Sequence, residues 1–365
     1  MNKTIPIIFA VNNSYVKQLA TVIVSILLNT GKDTCIQFSI LTKDITVENQ
    51  NKLSELIKFN SNVTFNFINM KSYTESFNLE EYLSKRLDYN YITIETYYRF
   101  FIPEIFPDYN KVIYLDSDLI LNDDIQKLFN EDIQSYYAGV VHDVFFENLL
   151  RSRKMIGQNI QIEEYYLKKL KCTDYNYFNA GVLLMNLEKI RKDNVVKKLW
   201  DFVIHESPLC YQDQDALNSV LNKNVKYLPY EWNVLKEQNH YKKNKNKALR
   251  KTLNKVYNNS SIFHFVGNDK PWCVVEGKQY NYNNIDKWWE YYKLTPFFEQ
   301  RDLEVLENIK YHKKYSNRFN FVSIEIYNFK FLSVYIEQHR FHICILGFIK
   351  FRFKLKSISY KKSIV

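Results

Sequence analysis

An α/β fold with a mainly parallel central sheet is predicted by two features of the sequence. Short apolar runs rich in β-branched and aromatic residues alternate with amphipathic stretches of helical length, the pattern of βαβ units. One such run, Lys111 to Ile120, delivers two carboxylates, Asp116 and Asp118. Strand ends are where open α/β sheets bind ligands. Alternate residues of an extended chain point the same way, so the two aspartates can converge on one hard cation while Ser117 points elsewhere. Carboxylate oxygens suit Mg²⁺ or Mn²⁺, and no thiolate lies nearby in sequence. The plainer alternative is a strand followed by a turn, because Asp and Ser are common turn residues.

The elements follow in order. Ile5 to Ala10 reads as a buried strand and Asn12 to Ser14 as a turn. A helix is expected from Tyr15 to Leu28, with Gly31 as its C-terminal cap. Cys35 to Thr42 is the next strand, Val47 to Phe59 the next helix and Val63 to Ile68 a third strand. The first hundred residues hold no Gly-x-Gly-x-x-Gly and no Gly-Lys-Ser/Thr loop, which argues against a dinucleotide-dependent dehydrogenase or a P-loop enzyme. Ile92 to Phe101 reads as an aromatic helix with one basic residue, Arg99, which can pair with phosphate or aspartate or simply lie on the surface. Asp123 and Asp124 open a short helix, where acidic residues favour the dipole, and are read as capping residues.

Tyr137 to His142 is a strand leading into Asp143, and Phe178 to Asn186 is another, entered through small residues that permit close approach of backbone. One helix is expected from Glu188 to Ile204. Tyr211 to Asn218 places Asp213 and Gln214 in the first turn of a helix, as a cap or facing a ligand. Trp232 begins a strand or loop, Lys242 to Lys255 reads as a basic surface loop, and Ile262 begins a strand that ends in His264. Lys270 follows beyond a glycine turn. Trp288 to Tyr292 is a closing helix.

With 365 residues, 46% hydrophobic and 25% charged, the chain has material for one large or two medium domains with a substantial core. Its five cysteines form no Cys-x-x-Cys pair, which predicts a reducing compartment without disulfides or a thiolate zinc site. The N-terminus lacks a signal-peptide layout, and the apolar run Leu19 to Leu28 is too short to span a bilayer. The net charge of +10 resides in the tail: residues 310–365 carry twelve Lys and Arg against two Glu.

Taken together, Phe9-Ala10, Leu115-Asp-Ser-Asp118, Phe178-Asn-Ala-Gly-Val182, Tyr211-Gln-Asp-Gln-Asp215 and His264-Phe-Val-Gly-Asn-Asp-Lys-Pro-Trp272 stand in the order and approximate spacing of family 8 glycosyltransferases. The chain resembles in particular their bacterial lipopolysaccharide galactosyltransferase and glucosyltransferase branch, over residues 5 to 292. The resemblance implies a GT-A type nucleotide-sugar-binding fold over residues 1–300; the residues beyond it, 301–365, read by their own charge and alternation as a small basic β-rich tail. The resemblance also implies a retaining hexosyltransferase that uses a UDP-sugar and Mn²⁺ (or Mg²⁺). Asp116, Asp118 and His264 match the metal ligands. Lys270 and Gly267 match diphosphate contacts, and Ala10 and Asn12 the uridine site. Arg99, Ser117, Asn179, Ala180, Asp213 and Gln214 match positions around the donor, and Asp143 one facing the acceptor. One departure is Asn12, where the family often has an acidic residue; an amide oxygen still accepts from a uracil N–H.

The chemistry agrees. A departing nucleotide gains negative charge, which a divalent cation and Lys270 would stabilise. The sugar passes through an oxocarbenium-like state, favoured by oxygens such as those of Asp213 and Gln214. Front-side attack and a covalent intermediate, with Gln214 or Asp215 as nucleophile, are both open.

In the tail, Phe319 to Tyr327 and Phe341 to Lys356 alternate like strands, and Phe329-Lys-Phe and Phe351-Arg-Phe-Lys suggest a weak internal repeat. A basic aromatic surface suits an anionic membrane, at about 1 kcal/mol per well-placed Lys or Arg. Nucleic acid, bound by the same electrostatics, is not expected. The expected location is cytoplasmic, on the inner face of the cell membrane, near an oligosaccharide or lipid-linked glycan acceptor; a β appendage packed on the main domain is the plainer reading. The competing functions are a haloacid-dehalogenase-like phosphatase, whose Asp-x-Asp normally lies nearer the N-terminus, a silent membrane-attached carbohydrate-binding protein, and a self-glucosylating primer of the glycogenin kind.

Overall fold

The computed structural model describes residues 4–76, 93–152, 155–156, 160–236, 247–267, 269–273, 283–300, 302–303 and 305, and the strands of the C-terminal segment. Two compact units are distinguished, Met1–Pro271 with Tyr282–Phe298, and Trp272–Asn281 with Glu299–Val365.

In the first unit the apolar runs pair as expected. Ile5–Ala10 (β1), Ile36–Thr42 (β2), Val63–Asn69 (β3) and Lys111–Leu115 (β4) lie parallel, in the order β3-β2-β1-β4. β1 is almost wholly buried, whereas β3, at the sheet edge, alternates between covered and exposed residues, as a strand with one free flank does. Beyond β4 the chain forms Leu119–Leu121 (β5), Ala138–His142 (β6), the two-stranded pair Met155–Ile156 (β7) and Ile160–Gln161 (β8), and Phe178–Asn186 (β9). Val225–Tyr227 (β10) completes a seven-stranded sheet, ordered β10-β6-β9-β4-β1-β2-β3. Four pairings are parallel; the two antiparallel ones both belong to β9. Its reversed course matters, because β9 begins at the edge where β4 and β6 end. Asn179 and Ala180 thereby arrive beside Asp116 and Asp143. A second sheet joins Val234–Leu235 (β11), Ile262–His264 (β12) and β5.

Helix Val16–Asn29 is buried over most of its length and packs against β5 and helix Ile285–Tyr292. On the other face, Tyr97, Phe100 and Phe101 gather around Trp200 at ring-centroid distances of 5.2–6.0 Å. The small amide and aromatic side chains at the sheet's C-terminal edge are thus backed by a dense aromatic core.

Several expected elements differ in detail. Gly31 is not the cap of the first helix: Thr30 ends it in an extended conformation, and Asn29 Nδ2 satisfies Ser25 O at 2.8 Å. The Val47 helix tightens after Ser54 into a 3₁₀ turn, Glu55–Phe59. The aromatic segment is a 3₁₀ helix, Ile94–Phe101, and Ile92 lies outside the described residues. The helix expected from Glu188 to Ile204 is two, Leu187–Lys192 and Val195–Glu206, broken where Asn194 takes a left-handed conformation, φ 51°, that asparagine tolerates. The basic stretch read as a loop is a helix over Lys247–Asn258, because Leu253 and Tyr257, one turn apart, are both buried. Residues 242–246 lie outside the described ones. Asp124 caps its helix by accepting from Gln126 N–H at 2.9 Å, and Asp123 pairs with Lys127.

In the second unit Phe319–Ile326 (β13), Phe329–Glu337 (β14), Arg340–Ile345 (β15) and Ile349–Lys354 (β16) form an antiparallel sheet in sequence order. The β-rich character expected of the tail holds, and no described helix is long and apolar enough to cross a membrane.

Candidate active site

The chain crosses from the large sheet to the small one through Asp116-Ser117-Asp118, and the crossing is pinned at both ends. Asp116 N–H donates to Gly181 O, and Phe265 N–H donates to Asp118 O, each at 2.8 Å. β12 runs antiparallel to β5 with His264 opposite Leu119, which sets the imidazole beside both carboxylates. His264 Nε2 lies 2.9 Å from Asp118 Oδ1 and 3.8 Å from Asp116 Oδ2, and one ligand atom from each residue falls within 4.8 Å of the others. Nδ1 of His264 faces Asn233 Oδ1 at 3.0 Å. With a proton on Nδ1, the Nε2 lone pair meets carboxylate oxygens, acceptors that only a proton or a cation between them reconciles. The donor set therefore fits a divalent ion. Lys270 bonds Asp118 Oδ2 and donates to Phe265 O at 2.5 Å, reaching back over the turn at Gly267, where φ is +75°. Burial works against the charge of Asp118, but Lys270 and His264 outweigh it and hold the carboxyl well below its usual range.

Arg99 is no surface residue. It is 6% exposed, and its guanidinium donates to Ala180 O at 2.6 Å, Asp116 Oδ1 at 3.0 Å and Thr96 O at 3.0 Å, over the Tyr114 ring at 4.3 Å. Tyr114 O–H donates to the same Asp116 oxygen at 2.9 Å. Asp213 Oδ2 stands 3.1 Å from Arg99 Nε, with charge beside it but no aligned donor. Burial pushes the Asp213 carboxyl up to about 7; Arg99 opposes this and the charge of Asp116 adds to it.

The start of β9 is clamped to helix Gln212–Leu221 by Asn218, which accepts from Phe178 N–H at 2.8 Å and donates to Phe178 O at 2.9 Å. This brings Gln214 over Ala180, whose N–H donates to Gln214 Oε1 at 2.9 Å. Asn179 Nδ2 donates to Gln214 Oε1 at 3.1 Å and lies 3.4 Å from Asp143 Oδ2, which also accepts from Gln214 Nε2 at 3.3 Å. Asp143 is buried, which raises its pKa. Asp215 is turned away. Fully buried, it accepts from the hydroxyls of Tyr165 and Tyr177 and from Tyr211 N–H, each at 2.6 Å. Ala10 ends β1; since Ile8 is opposite Tyr114, Ala10 lies level with Asp116. Asn12 follows in the turn, its Oδ1 accepting from Ser14 Oγ at 2.6 Å, and Ser117 is half-buried between the aspartates.

The pattern of glycosyl transferase family 8 matches residues 6–274, about three quarters of the sequence. The chain belongs to this family. It is therefore a glycosyltransferase. General stress protein A of Bacillus subtilis is 28% identical over 296 residues, 77% of this chain and 94% of that one. A lipopolysaccharide 1,2-glucosyltransferase of Escherichia coli is 26% identical over 210 residues, 56% and 55% of the two chains. The structure of the galactosyltransferase LgtC, solved with donor and acceptor sugar analogues, superposes with a TM-score of 0.63 at 25% identity, covering 82% of this chain and 99% of that one. The fold is of the GT-A type.

Within this family 8 fold, three residues that match no ligand or substrate position hold the candidate site together. Tyr114 fixes Asp116, Gly181 lets β9 lie against His264, and Asn233 binds His264 from behind. Tyr114 precedes the acidic pair by two residues and Gly181 stands inside the Phe178–Val182 motif, so the local sequence points to both. Asn233 sits in the 3₁₀ turn Tyr230–Asn233 and carried no signal.

Proposed function

We propose that the protein is a metal-dependent retaining hexosyltransferase that moves galactose or glucose from a UDP-sugar to a cell-surface oligosaccharide such as lipopolysaccharide. The observation that carries this reading is the convergence of Asp116, Asp118 and His264, with Lys270 on Asp118 and the Asn179–Gln214–Asp143 amide cluster at the same sheet edge. Mn²⁺ or Mg²⁺ held by the three ligands would supply positive charge to the departing diphosphate. Lys270 is within reach of the same charge, and Gly267 allows the turn that presents it. Ala10 and Asn12 would receive the uridine. Arg99, Ala180, Asn179, Asp213 and Gln214 would border the transferred sugar, with Asp143 toward the acceptor. A nucleophilic role for Asp215 has little support, because it is fully buried with both oxygens held by Tyr165, Tyr177 and Tyr211; Gln214, half-buried and bonded to Ala180 and Asn179 at the sheet edge, is the better placed group.

The C-terminal sheet supports a further proposal, attachment to the inner, anionic face of the cell membrane. The pairing of β15 with β16 sets Arg340 opposite Lys354 and His342 opposite Arg352. Co-sedimentation with phosphatidylserine or phosphatidylglycerol vesicles, lost on Lys350, Arg352 and Lys354 reversal to Glu, tests it.

The decisive experiment follows UDP release from separate UDP-sugars with Mn²⁺, with Asp118→Ala as control. Release from one sugar, abolished in the variant and by EDTA, is expected. Absence of turnover with every UDP-sugar would favour instead a silent carbohydrate-binding protein.

A further inference from the structure

Asn233 is 2% exposed and matches none of the metal, donor or acceptor positions, yet it joins two groups of residues. A backbone N–H cannot be turned end for end, and this fixes the polarity of a whole line of amides. Gly181 N–H donates to Asn179 Oδ1 at 3.0 Å, so that atom is an oxygen and the Asn179 NH₂ faces Gln214 and Asp143. Asn233 Nδ2 stands 2.9 Å from the same oxygen and must be the NH₂ group. Its Oδ1 is thereby turned to His264 Nδ1, at 3.0 Å, which must carry the proton. Nε2 is left with its lone pair toward Asp118 and Asp116. At the far end Ala180 N–H fixes Gln214 in the same way.

We propose that Asn233 is a positioning residue: its oxygen sets the ligating tautomer of His264, and its NH₂ ties that imidazole through Asn179 to the amides at the sugar end of the site. The inference rests on the reading of Asp116, Asp118 and His264 as a cation site. The two ends of one amide thus serve two different steps, ion binding and donor-sugar placement. A residue that merely packed the turn would have no such division.

Asn233→Ala removes both interactions. Asn233→Asp keeps an acceptor for His264 but presents only oxygen to Asn179 Oδ1, which Gly181 N–H holds in place, so two oxygens confront each other and the Asn179 amide is pushed off its partners Gln214 and Asp143. The test titrates the full-length protein with Mn²⁺ alone, read by the electron paramagnetic resonance signal of the free ion, and separately measures kcat for UDP release at saturating Mn²⁺. Loss of a hydrogen-bond partner behind a ligating histidine weakens metal binding about 10–100-fold, and this is the expected result for Asn233→Ala. Asn233→Asp is expected to retain Mn²⁺ affinity while kcat falls. Unchanged Mn²⁺ affinity in a folded Asn233→Ala overturns the proposal. So does an Asn233→Asp variant that loses affinity, or one that keeps full kcat, which decides the matter even where the alanine variant fails to fold. Failure of the wild-type protein to bind Mn²⁺ overturns the functional reading itself.

Discussion

A β-carbon on Gly181 would stand 2.2 Å from His264 Cε1 and 2.8 Å from Asp116 Oδ2. The strand that carries Asn179 and Ala180 is thus pressed directly against the candidate ligands, and only the absence of a side chain permits it. Neither neighbour is free to yield: His264 is held by Asn233, and Asp116 by Arg99 and Tyr114. In Gly181→Ala the imidazole must move off Asp118. Overpacking of this kind costs about 1–3 kcal/mol. Mn²⁺ affinity is expected to fall at least about tenfold, as it does when groups that orient a ligand are disturbed. Thermal melts and a Mn²⁺ titration check the two effects separately, and wild-type values in both would mean that β9 shifts at little cost.

Arg99 holds apart two acidic groups that would otherwise confront each other with no cation between them. Its removal leaves Asp116 and Asp213 uncompensated, and breaking a buried pair in this way costs about 3–5 kcal/mol. Arg99→Ala is therefore predicted to unfold at markedly lower urea. Arg99→Lys retains charge but lacks the planar fork that reaches Thr96, Ala180 and Asp116 together, so it should recover only part of the loss. A change below about 1 kcal/mol in Arg99→Ala, the range of an exposed pair, would mean that Arg99 does not hold the two carboxylates in place.

The expected strands and the acidic pair were legible because each is written in consecutive residues. Val112 to Leu115 is apolar and aromatic without interruption, and the next three residues hold both carboxylates. His264 was legible only through its motif, since nothing local says that β12 lies against β5. Arg99 illustrates the opposite case. Its local surroundings, an aromatic 3₁₀ segment, do not disclose that Asp116, Asp213 and Ala180 O converge on it from three other elements. The reversed course of β9 was equally hidden, because a strand buried on both faces reads alike in either direction. Asp215 and Gln214 are neighbours in one turn, and only the fold turns one toward tyrosines and the other toward Ala180.

Asp215 also predicts a pH dependence of stability. Burial raises its pKa to about 6, against the pull of hydrogen bonds from Tyr165, Tyr177 and Tyr211. A carboxyl whose pKa is higher folded than unfolded binds more protons in the folded state between the two values. Its contribution is fully present below about pH 4, is lost as pH rises to about 6, and is constant above, to a ceiling of about 3 kcal/mol. Urea unfolding of the wild-type protein and Asp215→Asn across pH 4–7 isolates this group. The wild-type protein should lose stability relative to the variant between pH 4 and 6 and not beyond. A constant difference would mean that the three donors fully offset burial.

Lys270 and a metal ion would compete for one carboxylate. The Lys270 ammonium lies on Asp118 Oδ2 and His264 on Oδ1, so a cation bound to Asp118 would share that carboxylate with the ammonium. Replacing Lys270 with Ala removes the competitor, and Mn²⁺ affinity is expected to hold or rise. Catalysis should move the other way. With a diphosphate leaving group present, the ammonium has developing negative charge to meet, and deletion of one such stabilising group lowers kcat by about 10²–10³-fold. Asp118→Asn, by contrast, should lose ion binding and turnover together, and EDTA should abolish UDP release by the wild-type protein. The opposed signs in Lys270→Ala are the discriminating result. A parallel fall in affinity and kcat would mean that Lys270 supports the ligand geometry, and that the charge on the leaving group is met elsewhere.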